Sequence, residues 1–154
     1  MSVTTANAVA DYILCHPDRP NDLSNLKMQK LVYYAQAWFL ALYDEPLFDD
    51  RFEAWIHGPV QPELYQRFKK YKGGAIAETP DCPVFPDESV YEHLDELIRV
   101  YGHLSAYELE WSVHSEDPWK NARKGLQIDE SCRNAIDHED MKVFYRNDVA
   151  DQEN

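Results

Sequence analysis

The six histidines of this sequence most invite a chemical reading. His57 stands in Trp55-Ile56-His57-Gly58-Pro59-Val60-Gln61-Pro62, beside a Gly-Pro turn and just ahead of a helix start, while His114 is flanked by Ser112 and Ser115. Catalytic zinc takes three converging protein ligands. Here there is no HExxH and no His-x-His, and His93 and His103 do not share one-turn helical spacing. Ser112, His114 and Ser115 could be written into a triad, but the GxSxG elbow is missing. Cys15, Cys82 and Cys132 form no CxxC pair, and nothing marks an electropositive setting that would lower a thiol pKa. Neither a Walker A loop nor GxGxxG is present, so no glycine-rich loop cradles a phosphate. The sequence names no catalytic residue, no metal ligand and no cofactor. A metal-dependent hydrolase using His57, His114 and nearby carboxylates is the last of the readings to keep.

Charge points away from polyanions. A formal net charge of −13 rewards neither a phosphate backbone nor anionic lipid, so neither nucleic acid nor membrane is an expected partner, whereas a basic protein would be drawn in. Arg67, Lys69, Lys70 and Lys72, interleaved with Phe68 and Tyr71, form the one basic cluster and read first as compensation of a helix C-terminus. Tyr33, Tyr34, Trp38, Trp55, Tyr65, Tyr71, Trp111 and Trp119 read mostly as core, though such side chains also anchor protein interfaces.

These residues need elements to position them. A chain of 154 residues has the size of one domain. Thr4 or Thr5 caps a first helix that His16-Pro17 ends. Ser24 caps a second, on which Met28, Leu31, Val32, Ala35, Trp38, Phe39 and Leu42 recur at helical spacing. Lys27, Lys30, Tyr33 and Gln36 fall on its other faces, leaving a polar and aromatic flank for neighbours or partners. Past Pro46 the period falls to two, so Phe52 to His57 reads as a strand with Leu47-Phe48 as the other arm of a hairpin, closed by Gly58-Pro59. Pro62 opens a helix running to Lys72, with Gly73-Gly74 offering a left-handed cap. The proline-rich segment 75–86 reads as a mobile contact loop. Further helices follow from Asp87, from a capping box at Ser105 and Glu108, from Asp117-Pro118, and over 137–146. The expected fold is mainly α: one compact helical domain over 1–148, a small β-hairpin inserted after the central helix, and a disordered tail at 149–154. With widely spaced cysteines, no basic leader and no apolar run of spanning length, a cytoplasmic protein with reduced thiols is expected, Cys15 serving as a small core residue.

Three segments then carry a resemblance. Lys27 to Gln36 (KMQKLVYYAQ), Pro46-Leu47-Phe48 with Phe52 to Val60 (FEAWIHGPV), and His114 to Trp119 (HSEDPW), in that order, resemble the Panacea domain family, which includes phage-associated GepA-like proteins and SocA-type antitoxins. The resemblance implies the antitoxin half of a toxin-antitoxin system, a protein that binds and neutralises a cognate protein toxin. In one branch it implies a proteolytic adaptor that hands the toxin to an ATP-dependent protease of the ClpXP type. It implies no enzymatic activity, and a homo-oligomer is compatible with it. Lys30, Leu31, Tyr34, Trp55, Gly58, Pro59, His114, Pro118 and Trp119 match the family pattern, and Tyr33 and His57 beside them complete the expected signature and partner-binding positions. Ala37 departs from it, standing where many relatives carry glycine.

Overall fold

A computed structural model describes residues 2–153, with side chains described through 149. Its architecture is seven helices and one two-stranded antiparallel hairpin among the described residues, in the order α1 (Ala6–Cys15), α2 (Asn25–Tyr43), β1 (Glu53–Trp55), β2 (Gly58–Val60), α3 (Pro62–Phe68), α4 (Glu88–Tyr101), α5 (Ala106–His114), α6 (Asp117–Ala122) and α7 (His138–Glu153). The mainly helical fold with its small hairpin is the one expected. Thr5 and Ser24 cap α1 and α2 through their hydroxyls, and Ser105 with Glu108 closes the capping box of α5, so these helices begin where their hydroxyl side chains replace missing backbone acceptors. The expected tail at 149–154, Val149 apart, lies outside the residues whose side chains are described.

Around α2 the other helices assemble. Its apolar stripe is buried from Met28 to Ala35 and again at Phe39, with Trp38 half-buried, but Lys27, Gln29, Lys30, Tyr33 and Gln36 are buried as well. The flank expected to stay open is therefore closed by the chain itself. Lys27 Nζ donates to the Gly102 carbonyl and the Asp22 carboxylate, each at 2.7 Å. Gln36 takes the Leu47 N–H at 2.8 Å and donates to the Phe48 carbonyl at 2.6 Å, and Gln29 takes the Gln61 N–H at 2.9 Å. Lys27, Gln29 and Gln36 can be enclosed because each finds a backbone partner, without which a buried polar group costs about 1–3 kcal/mol. Tyr33 accepts from the Tyr145 hydroxyl at 3.3 Å, and Lys30 is left without a partner among the described residues. The stripe's last member, Leu42, is exposed instead, on the rim of a depression between α4 and α7.

The hairpin differs from the expected one. Its arms are Glu53–Trp55 and Gly58–Val60, in the register Glu53↔Val60, Ala54↔Pro59 and Trp55↔Gly58. Gly58-Pro59 is thus a strand and not a stop, and Leu47-Phe48 pairs with a glutamine side chain instead of a strand. Near Gly73-Gly74, the residue at positive φ is Lys72 (53°).

Segment 75–86 is pinned. Ile76 N–H bonds Leu23 O at 2.9 Å, Phe85 is buried against Tyr12 and Tyr91, and Arg67 joins Glu78 to Asn7 and Asp11. Cys15 and Cys82 form a disulfide across 67 residues. That corrects the expectation of reduced thiols for this pair and of Cys15 as a plain core residue. Sequence spacing had no means of bringing an exposed loop cysteine onto α1. Cys132 is free and buried.

Candidate interaction site

The tight corner Ile56-His57 between β1 and β2 lies over α2, and the reason it can do so is Gly58. This residue sits at φ +111°, and a Cβ there would lie 2.6 Å from Lys30 Cε. Only glycine admits both that backbone and that approach. Lys30 is completely buried and its Nζ has no hydrogen-bond partner among the described residues. Burial pushes its ammonium down to about 7, against a smaller opposing pull from Glu110.

Glu110 of α5 organises this corner. Its carboxylate bonds His57 Nδ1 at 2.6 Å, with His57 mostly exposed and Glu110 mostly covered. It also acts on His114, whose pKa is lowered chiefly by burial and which bonds the Ile56 backbone. His114 stacks on Trp119 at 4.2 Å, and its Nε2 is buried without a partner among the described residues. Trp119 donates its indole N–H to the Trp55 carbonyl at 2.8 Å. Beneath it the buried Arg123 donates to the Ala54 carbonyl at 3.0 Å and lies over the Trp119 ring at 4.8 Å. Lys30, Trp55, His57, Gly58, His114 and Trp119 are thus brought together by β1, β2, α2, α5 and α6, with Pro59 opposite Ala54 in the hairpin.

Tyr33 and Tyr34 point elsewhere. Tyr34 stacks on Tyr101 at 4.4 Å and donates to Glu116 at 2.8 Å, as does Tyr145 of α7 at 2.8 Å. Tyr33 is edge-on to Phe52 at 5.4 Å. Burial raises the pKa of the Glu116 carboxyl, and the two phenol hydrogen bonds oppose that rise. These tyrosines fasten α7 to the core.

Two functional candidates escaped the sequence reading. Tyr107 and Trp111 of α5 are 72% and 71% exposed, and with Leu104 and Glu108 they line a shallow depression. Trp111 is one of the aromatics that read mostly as core while leaving some to anchor an interface, and it falls in the second group. The missing signal was phase: Leu109 and Val113 are the buried residues of this helix, and positions two residues before each fall on the opposite face at 3.6 residues per turn. Buried Arg123 was the other omission, since nothing in Lys120-Asn121-Ala122-Arg123 distinguishes it from a surface arginine. Among the described residues no group of three or more His, Cys, Asp or Glu side chains could hold a metal ion, and no helix is long and apolar enough to cross a membrane.

No solved structure matches the chain. It is 31% identical to "Antitoxin SocA" of Caulobacter vibrioides (strain NA1000 / CB15N), over 69% of this chain and 67% of the relative. Residues 28–120 match the family described as Antitoxin SocA-like, Panacea domain, a span running from the buried face of α2 through the hairpin corner to the Trp119 bracket. The chain belongs to the SocA-like antitoxin family of Panacea domains.

Proposed function

We propose that this protein is an antitoxin that neutralises a protein toxin by direct association, with the outer face of α5 and the adjoining His57–Glu110 corner as the contact surface. The carrying observation is the pair Tyr107 and Trp111, two large aromatics one turn apart and almost bare. Exposed aromatics of this kind dominate binding energy when a partner desolvates them. Around them the chain is strongly acidic, which favours encounter with a basic partner. The likeness to a curated antitoxin supports the same reading.

The test is co-expression with the neighbouring gene's product, followed by co-purification. Growth restored by this chain, with a stable complex recovered, supports the proposal. Trp111→Ala and Tyr107→Ala are expected to lose that rescue while melting as the parent does. Rescue that depends on a protease and clears the neighbour's protein would replace simple neutralisation by delivery. A harmless neighbour and no complex would overturn the reading.

A further inference from the structure

A cavity of about 450 Å³ opens between the start of α2, the hairpin with its His57 corner, the end of α3 and the segment before α7. Its volume is that of a small-molecule site. The cavity contradicts the charge of the whole chain, because Lys69, Lys72 and Arg133 line it and no aspartate or glutamate does. None of those three cations forms an ion pair among the described residues. Elsewhere on the surface Arg67, Arg99, Lys120, Lys142 and Arg146 have carboxylate partners, while Arg51, Lys70 and Lys124 are also without an ion pair among the described residues. What distinguishes Lys69, Lys72 and Arg133 is that they line one cavity.

The lining combines three cations with two aromatic rings. Arg133 lies over the Trp55 ring at 5.5 Å, a cation–π contact that leaves the guanidinium without a carboxylate partner among the described residues and able to take a bidentate acceptor. Lys69 and Lys72 add two point charges to the lining. Trp55 and Tyr65, with rings 5.1 Å apart and tilted by 58°, give the cavity an aromatic floor. The Trp55 indole N–H is occupied by Glu53 at 2.8 Å, and Glu53 does not line the cavity. Three unpaired cations exceed what a single carboxylate needs and suit a multiply charged anion. The apolar floor suits a ligand with a flat body.

We propose that this cavity binds a small organic phosphate, an anionic phosphate head carried on a planar apolar body, as in a nucleoside diphosphate. The site uses side chains where the familiar phosphate loops use backbone, so the lack of a glycine-rich motif does not bear on it. It contains no residue of α5 but shares His57 with the corner assigned above to the contact surface, and it does not rest on the antitoxin reading.

The experiment is a titration of the full chain, reading the Trp55 indole N–H resonance, with ADP, inorganic pyrophosphate and hexaglutamate as probes at low salt. The expected result is a saturable shift with ADP at millimolar concentration or below, weaker with pyrophosphate, and weakened about tenfold or more by Arg133→Glu. Lys69→Ala is expected to act in the same direction. Both residues are exposed, so circular dichroism of these variants should match the parent, and Trp111→Ala should leave binding unchanged. No saturable shift with ADP or pyrophosphate would overturn the proposal. So would ADP binding no tighter than pyrophosphate, ADP binding indifferent to Arg133→Glu, or saturation by hexaglutamate alone, which would make the occupant a polypeptide.

Discussion

Replacing Lys30 by methionine should make this protein more stable and more uniform with pH. The side chain is wholly buried, its nitrogen is unpartnered among the described residues, and burial moves it from 10.5 to about 7. At about 1.4 kcal/mol per tenfold change in proton affinity, holding that ammonium out of water costs the folded chain about 4–5 kcal/mol at neutral pH. The sign follows from linkage. Between about pH 7 and 10.5 the unfolded chain keeps a proton that the folded chain gives up, so stability rises with pH across that window, and below it the full penalty stands. Methionine reproduces the length of the side chain against Gly58 and carries no charge. Urea denaturation of parent and Lys30→Met from pH 7 to 9.5 isolates the effect, because tyrosine titration is common to both. A stability gain of about 4 kcal/mol at pH 7 that shrinks steadily as pH rises is expected. A difference that is constant with pH, or a variant less stable than the parent, would refute the account of Lys30 as an unpaired buried base. If the more stable variant also failed to neutralise the toxin, the unpaired amine would be a functional group retained at the expense of stability, as strained sites often are.

The remaining predictions are narrower. Gly58→Ala should destabilise by about 2 kcal/mol or more, since it meets both positive φ and the Lys30 side chain; thermal melting measures it. Trp111→Ala should alter stability by less than about 0.5 kcal/mol yet abolish rescue from the toxin. Reduction of the Cys15–Cys82 bond, which closes 67 residues of sequence, should cost about 2–4 kcal/mol. Cys82→Ser should show the same loss and no response to dithiothreitol.

The helical frame was legible because its signals are local. Thr5, Ser24, Ser105 and the apolar stripe of α2 act within one or two turns, and the helices begin accordingly. The family signature brought Lys30, Gly58, His114 and Trp119 into view together. What stayed hidden depends on distant residues. A lysine at position 30 reads as surface until Gly58 is found on top of it, Leu47-Phe48 reads as a strand until Gln36 is seen to satisfy its backbone, and Cys82 reads as a lone loop thiol until the loop is folded onto α1. Trp111 was the exception, a local signal whose phase was not followed.

Gln29 and Gln36 carry one more consequence. They stand seven residues apart on α2, about 10 Å along its axis, and one grips the chain where segment 47–61 departs while the other grips it where it returns. The helix thus serves as a ruler for a stretch containing only a hairpin and bends. Amide protons at Leu47 and Gln61 should exchange as slowly as those of a helix interior, although neither belongs to one. The corner that presents His57 to solvent consequently inherits its dimensions from helical pitch, and a partner meets a loop with the dimensional precision of a helix.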